Sequence, residues 1–364
     1  MSVQRQIGFW IAFLFGVGLA LFVLRDILLP FVAGFALAYL LDLLADRLQR
    51  LGLGRLTATL VILVLFVLVF IVALVLLAPL VAHQLSAFVA RLPSYVARLQ
   101  QLAAEQGGTL IERIGGPGAL EDIQGSIGNL VGQGAAWIGG FLTSLWSGGQ
   151  ALLSVFALLV VTPVVAFYLL VDWDRMVATV DSWLPLSQRE NVRAIARDID
   201  TAIAAFIRGQ AGVCLILGTF YAVGLSLIGL NFGALIGMTA GILSFIPYVG
   251  SLTGLLLSVG VAIVQFWPDW VWVVATLAIF VFGQFVEGNI LSPKLVGASV
   301  GLHPVWLMFA LLAFGSMFGF VGLLLAVPLA AAVGVVARHA LRRYLASPLY
   351  HGGVVSSASP ETDA

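Results

Sequence analysis

Seven windows free of Asp, Glu, Lys and Arg divide the chain: Gln6 to Leu24, Ile27 to Leu41, Leu56 to Ala90, Ile123 to Val171, Gly209 to Pro268, Trp270 to Val286 and Leu295 to Ala337. A helix needs about 20 apolar residues to cross the ~30 Å hydrocarbon core of a bilayer. The first window therefore reads as a retained transmembrane helix rather than the short apolar core of a cleaved signal peptide. The second reads as a short span with Pro30 near its start, where proline is tolerated. The third is too long for one crossing. It is expected to span from Leu56 to Pro79 and continue as an amphipathic helix, with Leu85, Phe88, Leu92, Tyr95, Leu99 and Leu102 set against Gln84, Arg91, Arg98 and Gln101. Pro93 should bend or restart that helix.

Charged residues between the windows set the orientation. Arg47, Arg50 and Arg55 lie in one loop, Arg175, Arg189, Arg193, Arg197 and Arg208 in another, and Arg338, Arg342 and Arg343 near the C-terminus. Lys and Arg accumulate in cytoplasmic loops, so all three groups and both termini are expected in the cytoplasm of a multi-pass inner-membrane protein. The organisation that follows has transmembrane helices 1 to 3 in 1–80, an extracytoplasmic amphipathic segment in 81–149 and a fourth transmembrane helix in 150–171. A cytoplasmic helical segment occupies 172–208, a C-terminal core 209–340 and a flexible cytoplasmic tail 341–364. In the outer segment, Gly115 to Gly118 form a break, and Gly128, Gly132, Ala136, Gly140, Ser144 and Gly148 recur every four residues. Such a stripe lets helices approach closely, and it is the candidate interface of an expected homo-oligomer. In the cytoplasmic segment, Val192, Ile195, Ile199, Ile203 and Phe206 share one helix face. Arg189, Arg193 and Arg197 stack on another, as a solvated face or a cradle for lipid headgroups.

Between Arg208 and Arg338 the number of crossings must be even. Either four helices cross, about 209–229, 232–266, 269–291 and 300–338, or the second and fourth of these segments are re-entrant hairpins. The hairpin reading rests on a weak internal similarity: Ser244 to Gly250 (SFIPYVG) precedes Leu255-Leu256-Leu257, and Ser316 to Gly322 (SMFGFVG) precedes Leu323-Leu324-Leu325. Paired Gly- or Pro-interrupted apolar segments point to a transporter site; kinked packing helices are the other reading. Irregular backbone survives in lipid only where protein buries it or it lines a cavity. Pro247, Tyr248 and Gly250, with Gly319 and Gly322, are therefore pathway candidates. Gly233, Gly237 and Gly241, spaced by four, require close packing against a neighbour.

Composition agrees with this membrane reading. Hydrophobic residues make up 61% of the 364 and charged residues 9%, against about 25% charged in soluble domains. Seventeen basic residues balance seventeen acidic ones, and no nucleic-acid partner is expected. The single cysteine, Cys214, rules out an internal disulfide framework. The scarcest chemistry is Glu287, which closes the apolar run from Trp270, with Gln284 three residues earlier and Lys294 seven later, beyond Asn289 and Pro293. An ionisable residue at membrane depth is costly to keep, so Glu287 is a candidate site for a proton or sodium ion; an interfacial pair with Lys294 is the alternative. There is no Walker-type phosphate loop. His83, His303, His339 and His351 are isolated in sequence, so neither a metal site, a cofactor nor an enzyme is expected.

Several of these residues recur in a recognisable order: Phe206-Ile207-Arg208-Gly209-Gln210, Gly229-Leu230-Asn231, Phe245-Ile246-Pro247-Tyr248-Val249-Gly250, then Gln284, Glu287, Pro293 and Gly297. Gly301-Leu302-His303-Pro304, Phe318-Gly319-Phe320-Val321-Gly322 and Ala326-Val327-Pro328 follow. Together they resemble the autoinducer-2 exporter family of bacterial membrane proteins, the PerM-type permeases. Where the family often has proline after Gly250, this chain has Ser251. The resemblance implies an all-α, polytopic transmembrane helix bundle of about eight membrane segments, two of them broken or re-entrant in the C-terminal half. It also implies a carrier for a small molecule such as autoinducer-2, or for sodium and protons. A membrane scaffold docking a partner through 81–149 and a gated channel are the competing readings.

Overall fold

The computed structural model describes residues 18–102, 149–296 and 303–347, with a few isolated positions besides. The small-residue stripe from Gly128 to Gly148, the Gly115 to Gly118 break, Gly297, Gly301 and Leu302 and the tail from His351 lie outside the described residues, as does about half of the first window. Among the described residues every regular element is helical. They are α1 (Leu28–Arg50), α2 (Arg55–Leu102), α3 (Gly149–Ser182), α4 (Arg189–Leu227), α5 (Gly233–Leu243), α6 (Val249–Phe266), α7 (Trp270–Val286) and α8 (Pro304–Leu345). A π-helical stretch, Glu287–Val296, prolongs α7. Six of the described helical segments are long and apolar enough to cross a membrane.

The restart expected at Pro93 is absent. Helix α2 runs for 48 residues through both Pro79 and Pro93, about 72 Å at 1.5 Å per residue, so Pro93 neither ends nor restarts it. Helix α4 likewise continues through Arg208 without interruption.

The described chain forms two compact units. In the larger one, Val23–Asp172 with Ile207–Val296, α1, α2 and α3 close around Leu37, Leu41, Ile62, Ala166 and Leu170. The α1–α3 approach is close: a Cβ on Gly34 would lie 2.7 Å from the Val165 side chain and 2.9 Å from the Thr162 carbonyl oxygen. The second core of this unit is built from α4, α5, α6 and α7 together with the far part of α2. Phe88 and Leu92, from the predicted amphipathic face, are buried there beside Val213, Tyr221 and Phe280. Gly233, Gly237 and Gly241 find the neighbour their spacing requires. Each lies against the backbone of α4, at Leu225, at Tyr221 and Ala222, and at Cys214 and Gly218 in turn.

The segment 232–266 is not one continuous helix; it folds back on itself. A Cβ on Gly250 would overlap Ser244, and one on Gly254 would sit 2.5 Å from the Ala240 Cβ, so α5 and α6 are antiparallel. At the open end Gln265 clamps both strands of the hairpin. Its Oε1 accepts from the Asn231 backbone N–H at 2.7 Å, and its Nε2 donates to the Gly229 carbonyl at 2.7 Å. These contacts keep one register from mouth to tip, centred on Pro247.

In the smaller unit, Trp173–Phe206 with the N- and C-terminal segments, Asp181 joins α3 to α4. Arg193 binds its two carboxylate oxygens at 2.7 Å each, and Arg189 its carboxylate at 3.0 Å and its backbone carbonyl. Two of the three stacked arginines are thus neutralised within the protein. The Arg193 hydrogen bond, opposed by partial desolvation and aided by the charges of both arginines, holds the Asp181 carboxyl below its ordinary range. Helix α8 breaks at Gly319 (φ 60°, ψ −137°). A Cβ on Gly315 would meet the Leu323 side chain at 2.8 Å and one on Gly322 would overlap the Phe314 carbonyl. Residues eight apart on a straight helix are about 12 Å apart, so this segment also doubles back.

A glycine-only backbone conformation at Gly319 predicts that Gly319→Ala lowers stability by about 1–3 kcal/mol. By contrast Gly260, with open space around its Cα in α6, should tolerate Gly260→Ala with a gain of about 0.5–1 kcal/mol. Thermal unfolding of the detergent-solubilised variants measures both.

Candidate functional site

Residues 208–210 form a hub of the larger unit. Arg208 Nε donates to the Tyr39 carbonyl at 2.8 Å and its Nη2 reaches Asp42 at 3.4 Å. Asp42 is shared with Arg55 at 2.9 Å, which also binds Asp46 at 3.0 Å and the Leu170 carbonyl at 2.7 Å. One residue on, a Cβ at Gly209 would overlap the Leu295 carbonyl, so the π-helical stretch lies directly on α4. Gln210, buried, donates through Nε2 to the Ser244 carbonyl at 2.5 Å. Three consecutive residues thus tie α4 to α1, to the end of the α7 extension and to the tip of the hairpin.

The two ends of the hairpin therefore stand at different levels. Its tip is fastened two residues from Arg208, at the level of the Asp42 and Arg55 ion pairs. Its mouth is held by the far part of α2: Gln84 Oε1 accepts from Leu235 N at 3.1 Å, Tyr95 Oη accepts from Asn231 Nδ2 at 3.3 Å, and Phe88 packs edge-on against Phe232.

At the tip, Tyr248 is half exposed with a left-handed backbone (φ 68°), Pro247 is partly buried and Gly250 is buried. Of the other motif residues, Pro293 lies in the π-helical stretch. His303 caps α8, its Nδ1 accepting from Val305 N at 3.3 Å with Pro304 in the first turn, and Pro328 is buried within α8. Gly319 and Gly322 belong to the smaller unit and Pro247, Gly250, Gln284 and Glu287 to the larger.

Glu287 and Gln284 come together: Gln284 Nε2 donates to Glu287 Oε2 at 2.8 Å. The ion pairs of the described residues join Arg55, Arg189, Arg193, Arg208 and His339 to aspartates, and Lys294 forms none with Glu287. Helix α7 packs antiparallel on α4, Gly224 against Ile279, Tyr221 against Gly283 and Gly209 against Leu295. Glu287 falls between the last two contacts, about nine residues along α4 from Arg208. That is roughly 13 Å, near the middle of a ~30 Å hydrocarbon layer.

Tyr221 is the residue that sequence reasoning missed. Fully buried, it stacks on Phe280 with centroids 4.3 Å apart, and its ring end and hydroxyl fill the space a side chain at Gly283 would occupy. Its hydroxyl is within electrostatic reach of Gln284 and Glu287, yet makes no hydrogen bond of ordinary geometry. In a run as apolar as 213–228 a single tyrosine gives no signal. Only the glycine facing it, one turn before Glu287, marks it.

Removing an unsatisfied buried hydroxyl costs little or helps, so Tyr221→Phe should leave stability unchanged or raise it by about 1 kcal/mol. Gly283→Ala inserts a methyl into the Tyr221 ring and should cost about 1–3 kcal/mol. Urea or thermal unfolding of the two variants decides between this packing and a tyrosine hydroxyl that is already well paired.

A family model described as AI-2E family transporter matches residues 7–342. YrrI of Bacillus subtilis strain 168, named as a candidate transport protein, is 32% identical over 325 residues, covering 88% of each chain. PerM of Escherichia coli K12, named as a candidate permease, is 28% identical over 323 residues, covering 87% of this chain and 88% of its own. YueF of Bacillus subtilis, also named as a candidate transport protein, is 31% identical over 193 residues, 53% of this chain and 52% of its own.

Proposed function

The chain belongs to the AI-2E family of transporters, and from that premise we propose that it is a secondary carrier of the bacterial inner membrane in which Glu287 binds the coupling cation. The observation that carries the reading is a carboxylate beside an apolar helix whose partner is a neutral amide, Gln284, rather than a cation. An ion or proton binds such a group readily, because the protein offers it no fixed countercharge. On this reading the cargo is a small molecule such as autoinducer-2, or sodium exchanged for protons. The N- and C-termini are cytoplasmic by the arginine distribution.

The two folded-back segments supply irregular backbone near the route. With the Arg208 and Asp42 cluster placed in the cytoplasm, the α5–α6 hairpin enters from outside and carries Pro247, Tyr248 and Gly250 to the cytoplasmic end. The α8 hairpin, with arginines at its base, enters from the cytoplasm with Gly319 and Gly322 at its tip. That arrangement supports alternating access by pairs of interrupted helices.

Glu287→Gln in proteoliposomes should retain protein assembly but lose the dependence of flux on a proton or sodium gradient; an unchanged dependence would overturn the coupling role. Saturable flux separates a carrier from a channel, and no flux from a scaffold. Cysteines replacing Tyr248 and Phe320 should label from opposite sides of the membrane, and labelling of both from the same side contradicts the opposed hairpins.

A further inference from the structure

Arg55, Arg189, Arg193 and Arg208 each reach an aspartate carboxylate within 3.4 Å. Arg342 and Arg343, on the last turns of α8, contact neutral acceptors instead. Arg343 Nη1 donates to Gln188 Oε1 at 3.4 Å, while Arg342 Nη2 lies 3.3 Å from His339 Nδ1 and its Nε donates to the Arg338 carbonyl at 3.4 Å. Asp198, half exposed, stands 3.9 Å from His339. Arg342, Arg343 and His339 line a cleft of about 600 Å³ between α4 and α8 together with Asn191, Ile195, Val336 and Ala340. The cleft therefore combines two guanidiniums with apolar side chains. It opens within two turns of Ala337, the last residue of the apolar run that begins at Leu295.

We propose that this cleft binds a phosphate ester, the headgroup phosphate of an anionic phospholipid. Guanidinium groups bind phosphate oxygens in paired, charge-assisted hydrogen bonds, and here the two guanidiniums of the cleft form no ion pair with a carboxylate among the described residues. The Asn191 amide adds a neutral donor. Ile195, Val336 and Ala340 give the glycerol and the first methylenes of a lipid an apolar wall that inorganic phosphate would not need. The level of the cleft, just past an apolar helix run, is where headgroups sit.

The test uses full-length protein in a neutral detergent, titrated separately with phosphatidylglycerol, phosphatidylcholine and inorganic phosphate, with the thermal midpoint as readout. Phosphatidylglycerol should raise the midpoint well beyond phosphatidylcholine. In the double variant Arg342→Gln/Arg343→Gln its half-saturating concentration should rise roughly tenfold, as expected for losing charge-assisted hydrogen bonds. Arg197→Gln, an exposed arginine elsewhere on α4, should leave it unchanged. The conservative Arg342→Lys/Arg343→Lys pair, which keeps charge but loses the paired geometry, should fall between. Equal responses to the two lipids, or an undiminished response in the Gln double variant, overturn the site. Inorganic phosphate reproducing the whole effect overturns the lipid assignment and leaves a soluble phosphate as the ligand. None of these readouts depends on transport, so they stand or fall apart from the role of Glu287.

Discussion

A helix end packed away from water leaves backbone donors and acceptors with no water to take them, and each unpaired buried group costs several kcal/mol. Residues 244–248 meet that constraint almost entirely from within. The N–H groups of Ser244, Phe245, Ile246 and Val249 donate to the carbonyls of Ala240, Ile242, Leu243 and Ile246. The Ser244 carbonyl takes the Gln210 amide, one of the few polar side chains buried in the described chain. The rest of the larger unit is arranged around that bond. Gln210 can deliver its amide only if α4 passes beside the tip, and α4 is held there because Arg208 is locked to Tyr39 and Asp42 on α1.

Glycine makes the same geometry possible on the other faces. Where α5 runs along α4, and where the α7 extension crosses Gly209, a Cβ would fall on a neighbour's backbone. Lipid provides no hydrophobic drive between helices, so association there depends on close van der Waals contact and interhelical hydrogen bonds. The stripe from Gly233 to Gly241 supplies the first, and Gln265, Gln84 and Tyr95 supply the second at the opposite end. Both ends of the hairpin are pinned by side chains from elements distant in sequence, and its register is fixed without a loop of regular turn residues.

Much of this could be read from the chain. The charge-free window Trp270 to Val286 coincides with α7, the four-residue spacing of glycine announced a backbone contact, and the Pro247 and Gly319 breaks both prove to be reversals of direction. What escaped depended on partners. Nothing local to Asp42 says that Arg55 and Arg208 converge on it. The expectation at Pro93 is a bend or restart of the helix, whereas α2 continues through it, with Phe88 and Leu92 packed into the core on either side of one turn. Tyr221 was hidden in an apolar run because its distinguishing feature is the absence of a side chain at Gly283, on another helix.

The arrangement around Glu287 separates two explanations for a carboxylate in an apolar helix. A structural acid is kept in a membrane by a fixed countercharge, since the Coulomb attraction of a close pair offsets part of the desolvation cost. Outside its apolar runs the chain pairs its acids with arginine, at Asp42, Asp46 and Asp181, each within 3.0 Å. At Glu287 it does not: the one lysine of the neighbourhood, Lys294, lies nearly two helical turns away along the chain, and the carboxylate accepts a hydrogen bond from the Gln284 amide. A group treated so differently from its counterparts is better explained by a charge that arrives and leaves than by one built into the fold.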